Sequence, residues 1–337
     1  MKIGKQTWQF VSQPRVIATG TVVGEKEGQG PLGPTFDLVL ADPYVGQKTW
    51  EKAERKMMEM AQMKAVEKSG LSMENIDLVI AGDLLCQNIS ANFAARTAAR
   101  PYLGLFSACA TSMEAMALAA AMVDAGQADY VMAAVSSHHS TAERMFRFPT
   151  EYGAQKPPTA HSTVTGAGAA IVGHAPSGIR ITHATIGTVT DLGVQSPWEM
   201  GAAMAPAAVR TIDQHFRDTG RQPTDYDLIA TGDLANVGLP IATELLLQKS
   251  WQMGGRFTDC GMLIYDAKQQ VEVFSGGSGA ACCAVVTFSH LLNGLSSGQW
   301  KRILVVATGA LLSSVSAQQN ETVPCIAHAV VFEADQV

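Results

Sequence analysis

Hydrophobic positions along this chain fall into short continuous runs and longer Ala- and Met-rich stretches, and the same succession occurs twice. Asn75-Ile-Asp-Leu-Val-Ile-Ala-Gly-Asp-Leu84 is echoed by Asp225-Tyr-Asp-Leu-Ile-Ala-Thr-Gly-Asp-Leu234. Unbroken apolar runs of this length, ending in turn residues, predict strands buried on both faces. A helical segment precedes each run, at 49–69 and 200–219, and a strand precedes each helix, at 15–23 and 179–189. Beyond each Gly-Asp-Leu the pattern predicts a helix, 109–125 and 280–295, then a strand, 130–135 and 303–308. A last apolar strand closes each half, at 167–172 and 329–332.

Two passes of strand–helix–strand–helix–strand–strand predict an α/β fold with two mixed sheets and helices between and outside them. The expected division is 1–175 and 176–337. The repeats are too long and too few for a solenoid. The helices that begin at Cys109 and after Gly279 are apolar nearly all round, which places them in the centre between the two sheets.

Composition narrows the partners. The chain has 337 residues, 47% of them hydrophobic, enough for a large core. A net charge of −6 without a Lys/Arg-rich block argues against nucleic acid. Residues 1–13 lack the apolar region and cleavage site of a signal peptide, and no apolar stretch is long enough to span a bilayer. Six irregularly spaced cysteines do not read as a disulfide framework, and a reducing compartment is expected.

Cys109 carries the strongest chemical signal. At the first turn of a helix a thiol meets free backbone N–H groups and the positive end of the helix dipole, which favour thiolate. The competing reading is a small buried core cysteine. Asp83 and Asp233 close the duplicated strands, either as caps for backbone N–H groups or as the floor of a pocket. Ser136-Ser137-His138-His139 follows a strand, where ligand loops are frequent. Ser137 and His138 are candidate donors to an anion, and His139 reads as a solvated turn. Arg144 and Arg147 read as guards of a carboxylate entrance or as cover for a subunit interface. Gly28-Gln-Gly30-Pro-Leu-Gly33 matches a dinucleotide fingerprint in form only, because Pro31 and Pro34 block the helix such a site needs. The eight histidines show no metal spacing, and no metal or other cofactor is expected.

Ala108-Cys109-Ala110-Thr111-Ser112 resembles the nucleophile loop of the ketoacyl-synthase branch of the thiolase superfamily, and the likeness runs from about Arg15 to Phe332. It implies a duplicated, five-layered α-β-α-β-α fold and a homodimer. Gly20-Thr-Val-Val-Gly24, Phe146-Arg-Phe-Pro-Thr-Glu-Tyr-Gly153 and Gln155 to Gly168 are similar, more narrowly, to a family of sporulation proteins of spore-forming bacteria. Condensing members of the superfamily pair the cysteine with a histidine and an asparagine that bind the thioester oxygen. The matching stretches here are Thr231 to Asn236, without histidine and with Asp233, and Ser275 to Gly279, with Gly277 at the asparagine position. The resemblance therefore implies a degenerate active site and no enzyme. It also implies binding of dipicolinic acid (pyridine-2,6-dicarboxylate) or its calcium chelate, and support of uptake into the spore with membrane proteins of the same assembly. The expected location is cytoplasmic or peripheral on the spore inner membrane. The expected ligand contacts are Cys109, Asp83, Ser136, Ser137, His138, Asp233, Gly277 and Ser278, with bare N–H groups from Gly276 to Gly279 facing a carboxylate. Asp83 and Asp233 would then act protonated, through a bridging cation, or point elsewhere. The alternatives are an acyl-transferring enzyme that uses Cys109 with His138 or His328 as base, and a structural adaptor with a vestigial pocket.

Overall fold

The structure, a computed structural model, describes residues 1–146 and 156–335. The first half runs β1 (Arg15–Gly24), α1 (Trp50–Ser69), β2 (Leu78–Gly82), α2 (Ile89–Ala98), β3 (Tyr102–Gly104), α3 (Thr111–Asp124), β4 (Tyr130–Ser137), α4 (His139–Phe146) and β5 (Gly166–Gly173). The second runs β6 (Ile179–Thr185), α5 (Met200–Thr219), β7 (Leu228–Thr231), α6 (Ala235–Gln248), β8 (Phe257–Asp259), α7 (Ala280–Val286), β9 (Arg302–Ala310) and β10 (Cys325–Glu333). Strand order is β3-β2-β4-β5-β1 in one and β8-β7-β9-β10-β6 in the other, so the sequence repeat is a topological repeat. In each, three neighbouring strands are parallel and the other two join antiparallel.

The expected two sheets touch. β1 and β6 pair antiparallel at Val16–Ile179 and Arg15–Arg180, so one hydrogen-bonded ladder runs through both. The sequence pattern also passed over one helix–strand unit in each half, α2–β3 and α6–β8. Their strands are three residues long and lie at the sheet edges, too short and too exposed for an apolar run to mark them.

Side-chain alternation sorts the strands into layers. On β4, Met132 and Ala134 pack outward against Met57, Met58 and Ala61 of α1, while Val131, Ala133 and Val135 join the central core. On β9, Leu304 and Val306 pack against Met204 and Ala208 of α5, while Ile303, Val305 and Ala307 face the centre. The central core holds α3 and α7, whose Ala-rich surfaces let both sheets approach. The layers are thus helix, sheet, helix pair, sheet, helix. α7 continues through a π-helical segment, Thr287–Leu291, into a final helical turn, Leu292–Ser296. No helix among the described residues is long and apolar enough to cross a membrane.

Candidate functional site

α3 is entered through a tight turn. Ala108 takes a left-handed φ of 50°, and a single 3-10 turn, Ala108–Ala110, carries Cys109 ahead of the helix proper. The Thr111 hydroxyl donates to the Ala108 carbonyl at 2.7 Å and accepts from the Ser107 amide at 3.1 Å, which pins the turn. Gly309 of β9 makes room for it: a Cβ there would lie 2.5 Å from the Ser107 carbonyl oxygen. The entry to α7 meets this turn from the other half. Cys109 Sγ lies 3.8 Å from Ser278 Oγ, and Ser278 donates to Asp233 Oδ2 at 2.6 Å.

Asp233 is wholly buried and fully engaged. It accepts from Ser278, from the Thr308 hydroxyl at 2.6 Å and from the Gly279 amide at 3.2 Å. Burial, followed by the nearby Asp233 charge, pushes the Cys109 thiol well above its ordinary range. This works against the thiolate that the helix entry favours and fits the reading of Cys109 as a buried cysteine: desolvation opposes the dipole. Two of the N–H groups expected to be bare at Gly276–Gly279, those of Gly276 and Gly279, are engaged, as is that of Ala281 beyond them. The Gly276 amide donates to the Val273 carbonyl, the Gly279 amide to Asp233, and the Ala281 amide to Ser137 Oγ at 3.2 Å. Ser137 in turn donates to the Val164 carbonyl at 2.8 Å. All six cysteines are free thiols, and of the six only Cys86 is exposed.

A narrow cleft opens over Cys109, about 550 Å³ of non-atom space when the open solvent at its mouth is included. Its walls are Leu84, Ala142 and Phe146 on one side and Pro197, Met200, Ala310 and Leu312 on the other, with Thr163, Ser278 and Gly279 as its polar floor. No lining residue among those described carries a positive charge.

Of the expected contacts, Cys109, Ser278 and Asp233 converge, and Ser137 lies directly behind Gly279. Gly277 is outside the cleft. It pairs with Ser162 in a two-residue parallel ladder, and a Cβ there would sit 2.7 Å from Ile264 Cγ2. Asp83 caps the 83–91 loop, accepting from the Leu85 and Ala91 amides, both at 2.7 Å. Ser136 donates to Glu54 at 3.0 Å. His138 faces a separate cavity beside Lys26 and Glu27, where its Nε2 donates to the Pro43 carbonyl at 2.9 Å and its Nδ1 accepts from the Ser140 amide. Burial lowers its pKa, so the ring is neutral. His328 accepts from the Gly187 amide at 3.2 Å, and burial holds it down at about 4. Neither histidine hydrogen-bonds Cys109. Arg144 pairs with Glu51 and lies 5.8 Å over the Trp50 ring, and Arg147 lies outside the described residues.

Sequence reasoning missed Glu54. It lies on the buried face of α1 among methionines and alanines, and a lone acid there reads as part of the solvated face. Its only sequence signal is register: it shares a face with Met57, Met58 and Ala61.

Against solved structures, the chain resembles 3-oxoacyl-[acyl-carrier-protein] synthase III from Aquifex aeolicus, with a TM-score of 0.59 at 16% identity over 95% of this chain and 99% of that one. It resembles Xanthomonas campestris OleA co-crystallised with cerulenin to the same degree, with a TM-score of 0.59 at 15% identity over 95% and 96%. Likeness at this identity shows the fold, which is thiolase-like. Sequence relatives are nearer. Stage V sporulation protein AD of Bacillus subtilis (strain 168) is 54% identical over 330 residues, 98% of this chain and 97% of that protein. The family profile for stage V sporulation protein AD (SpoVAD) matches residues 4–333, and the chain belongs to that family.

Proposed function

We propose that this protein is a non-catalytic member of the thiolase-like fold that binds dipicolinic acid and supports its uptake into the developing spore together with membrane proteins. The observation that carries the reading is the setting of Cys109. Its hydroxyl neighbour leads to a buried carboxylate, Asp233, within the stretch where the resemblance expects a histidine. A carboxylate there opposes charge developing on a thioester oxygen, whereas condensing chemistry needs donors aimed at that oxygen. Burial beside Asp233 also raises the thiol, which disfavours the thiolate that acyl transfer uses.

The cleft suits a small flat ring. Leu84, Phe146, Met200 and Leu312 offer apolar faces, and Ser278 and Thr163 offer hydroxyls at the floor. A rigid ligand loses little conformational freedom on entering. With no cation among the described lining residues, the calcium chelate, its charge already neutralised, is favoured over the free dianion. Calorimetry with dipicolinate, with and without calcium, tests this. Saturable heat that weakens in Cys109→Ala and Ser278→Ala supports it; no saturable heat in either condition rules it out. An acyl adduct at Cys109 after incubation with acyl thioesters, read by intact mass, restores the enzyme reading.

The proposed homodimer has a candidate surface. The β3 edge exposes Leu103 and Phe106 beside Phe93 and Ile89 of α2. Sedimentation should show a dimer in the wild type and a monomer in Leu103→Lys.

A further inference from the structure

The cavity that His138 faces holds a carboxyl with one oxygen unmet. Glu27 is only 2% exposed, and it lines this cavity. The Tyr265 hydroxyl and the Thr165 amide, the latter at 3.0 Å, both donate to its Oε1. Its Oε2 is buried and has no hydrogen-bond partner. Two donors on one oxygen favour the ionised carboxyl, while burial raises its pKa. A carboxylate oxygen out of water and without a donor is costly, so Oε2 calls for one. Gly24, at the end of β1, makes room for that oxygen: a Cβ there would lie 2.8 Å from Oε2.

The rest of the cavity fixes the kind of donor. Its non-atom space is about 730 Å³ with the open solvent at its mouth included, and the exposed Glu25 and Glu272 stand on its walls. Among the described lining residues Lys26 is the one Lys or Arg, and it is turned away. Its Nζ donates to Ser162 Oγ at 3.1 Å and to the Glu272 carbonyl at 3.0 Å, and lies 5.3 Å over the Tyr265 ring. It does not reach Oε2. His138 is neutral and bonded to Pro43. Three carboxyls against one ammonium repel an anion and draw in a cation. A metal ion does not fit, because among the described residues no three His, Cys, Asp or Glu stand together so as to hold one. A cation that brings N–H groups meets both the charge and the unmet acceptor.

We propose that this cavity binds a primary ammonium group, which donates to Glu27 Oε2 and is attracted by Glu25 and Glu272. The group belongs to a free amine or to a lysine side chain of another protein, and both present the same chemistry. Thr163 forms a wall of this cavity and of the Cys109 cleft, so the two are neighbours, and the ammonium site stands whatever the cleft binds.

Butylammonium chloride, titrated at constant ionic strength into protein labelled with ¹⁵N and with ¹³C-glutamate, is the first probe. It should shift the Thr165 amide and one glutamate carboxyl saturably, and it should lower that carboxyl's pKa, because the ammonium favours the charged form. Tetramethylammonium, a cation without N–H groups, should bind at least about tenfold more weakly. Glu27→Gln keeps an oxygen for Tyr265 and Thr165 and turns an amide N–H towards the ligand, so it should weaken butylammonium at least about tenfold. Glu272→Gln, an exposed change, should weaken it about threefold and serves where Glu27→Gln does not fold. An acetylated Gly-Lys-Gly amide separates the sources: tighter binding than butylammonium assigns the site to a partner's lysine, and equal or weaker binding assigns it to a free amine. No saturable shift at Thr165 with either amine overturns the site, as does an equal response to tetramethylammonium. So does unchanged affinity in a folded Glu27→Gln or, where that variant does not fold, in Glu272→Gln.

Discussion

Asp83 and Asp233 end equivalent strands in the same Gly-Asp-Leu context, yet they face opposite ways in the chemistry of the molecule. Asp83 turns to its own half: its partners are two backbone amides of the loop and helix that follow, with a second carboxyl behind it. Asp233 turns to the centre: its partners are the hydroxyls of Ser278 and Thr308 and the Gly279 amide, beside the Cys109 thiol. The capping duty that Asp83 performs has passed in the second half to Asp259, which accepts from the Leu234 and Ala235 amides and from Thr231. A duplicated residue is released from structural work when a neighbour takes the work over. Only one of the two aspartates bonds a residue of the cleft floor, Ser278.

The difference can be broken from either side. The largest effect is expected from Asp233→Ala, which strands two buried hydroxyls and an amide and should lower stability in urea unfolding by about 3 kcal/mol. Asp83→Ala removes acceptors from two amides and should lower it by about 2 kcal/mol at pH 6. At pH 9 the loss should shrink, because removing Asp83 relieves the charge facing Glu54. The sign follows from the raised pKa values. Carboxyls that titrate at about 8 and about 6 in the folded state stabilise it most at low pH and lose that contribution as pH rises through those values. An Asp233→Ala loss that shrank in the same way would erase the distinction.

A finer test restores the residue type that the resemblance expects at position 277. Gly277→Asn must displace Ile264 and should lower stability by about 2 kcal/mol while yielding no acyl transfer from thioesters. The thiol supplies the smallest effect. In the native protein at pH 8, Cys109 should alkylate at least about tenfold more slowly than exposed Cys86, and Asp233→Asn should narrow that gap. Site-resolved mass spectrometry of iodoacetamide adducts reads both rates.

Much of the architecture was legible because buried strands and all-apolar helices are written as unbroken runs. The runs at 75–84 and 225–234 led to the repeat, and the stretches after Cys109 and Gly279 led to the central helix pair. β3 and β8 were illegible because three-residue edge strands bury too little to leave a pattern. The site was legible only in part. Cys109 and Ser278 adjoin the starts of recognisable helices, so their convergence followed from the duplication. Partner choice did not: whether an aspartate bonds a backbone amide or a hydroxyl from a later strand or helix entry is set by packing across 25 to 75 residues of chain. Glu54 was invisible for the same reason, since its partners come from β4 and α4.

The left-handed turn at Ala108 has a consequence for the history of this pocket. A residue with a β-carbon held at positive φ destabilises the fold by about 1 kcal/mol, and Ala108→Gly should raise the unfolding midpoint accordingly. Drift would relax such a turn once the residue it presents had no use. The chain instead keeps both the contorted peptide and the glycine across from it that accommodates the bend. The scaffold gives up stability at the turn that carries Cys109, which is what the proposed ligand site there would lead one to look for.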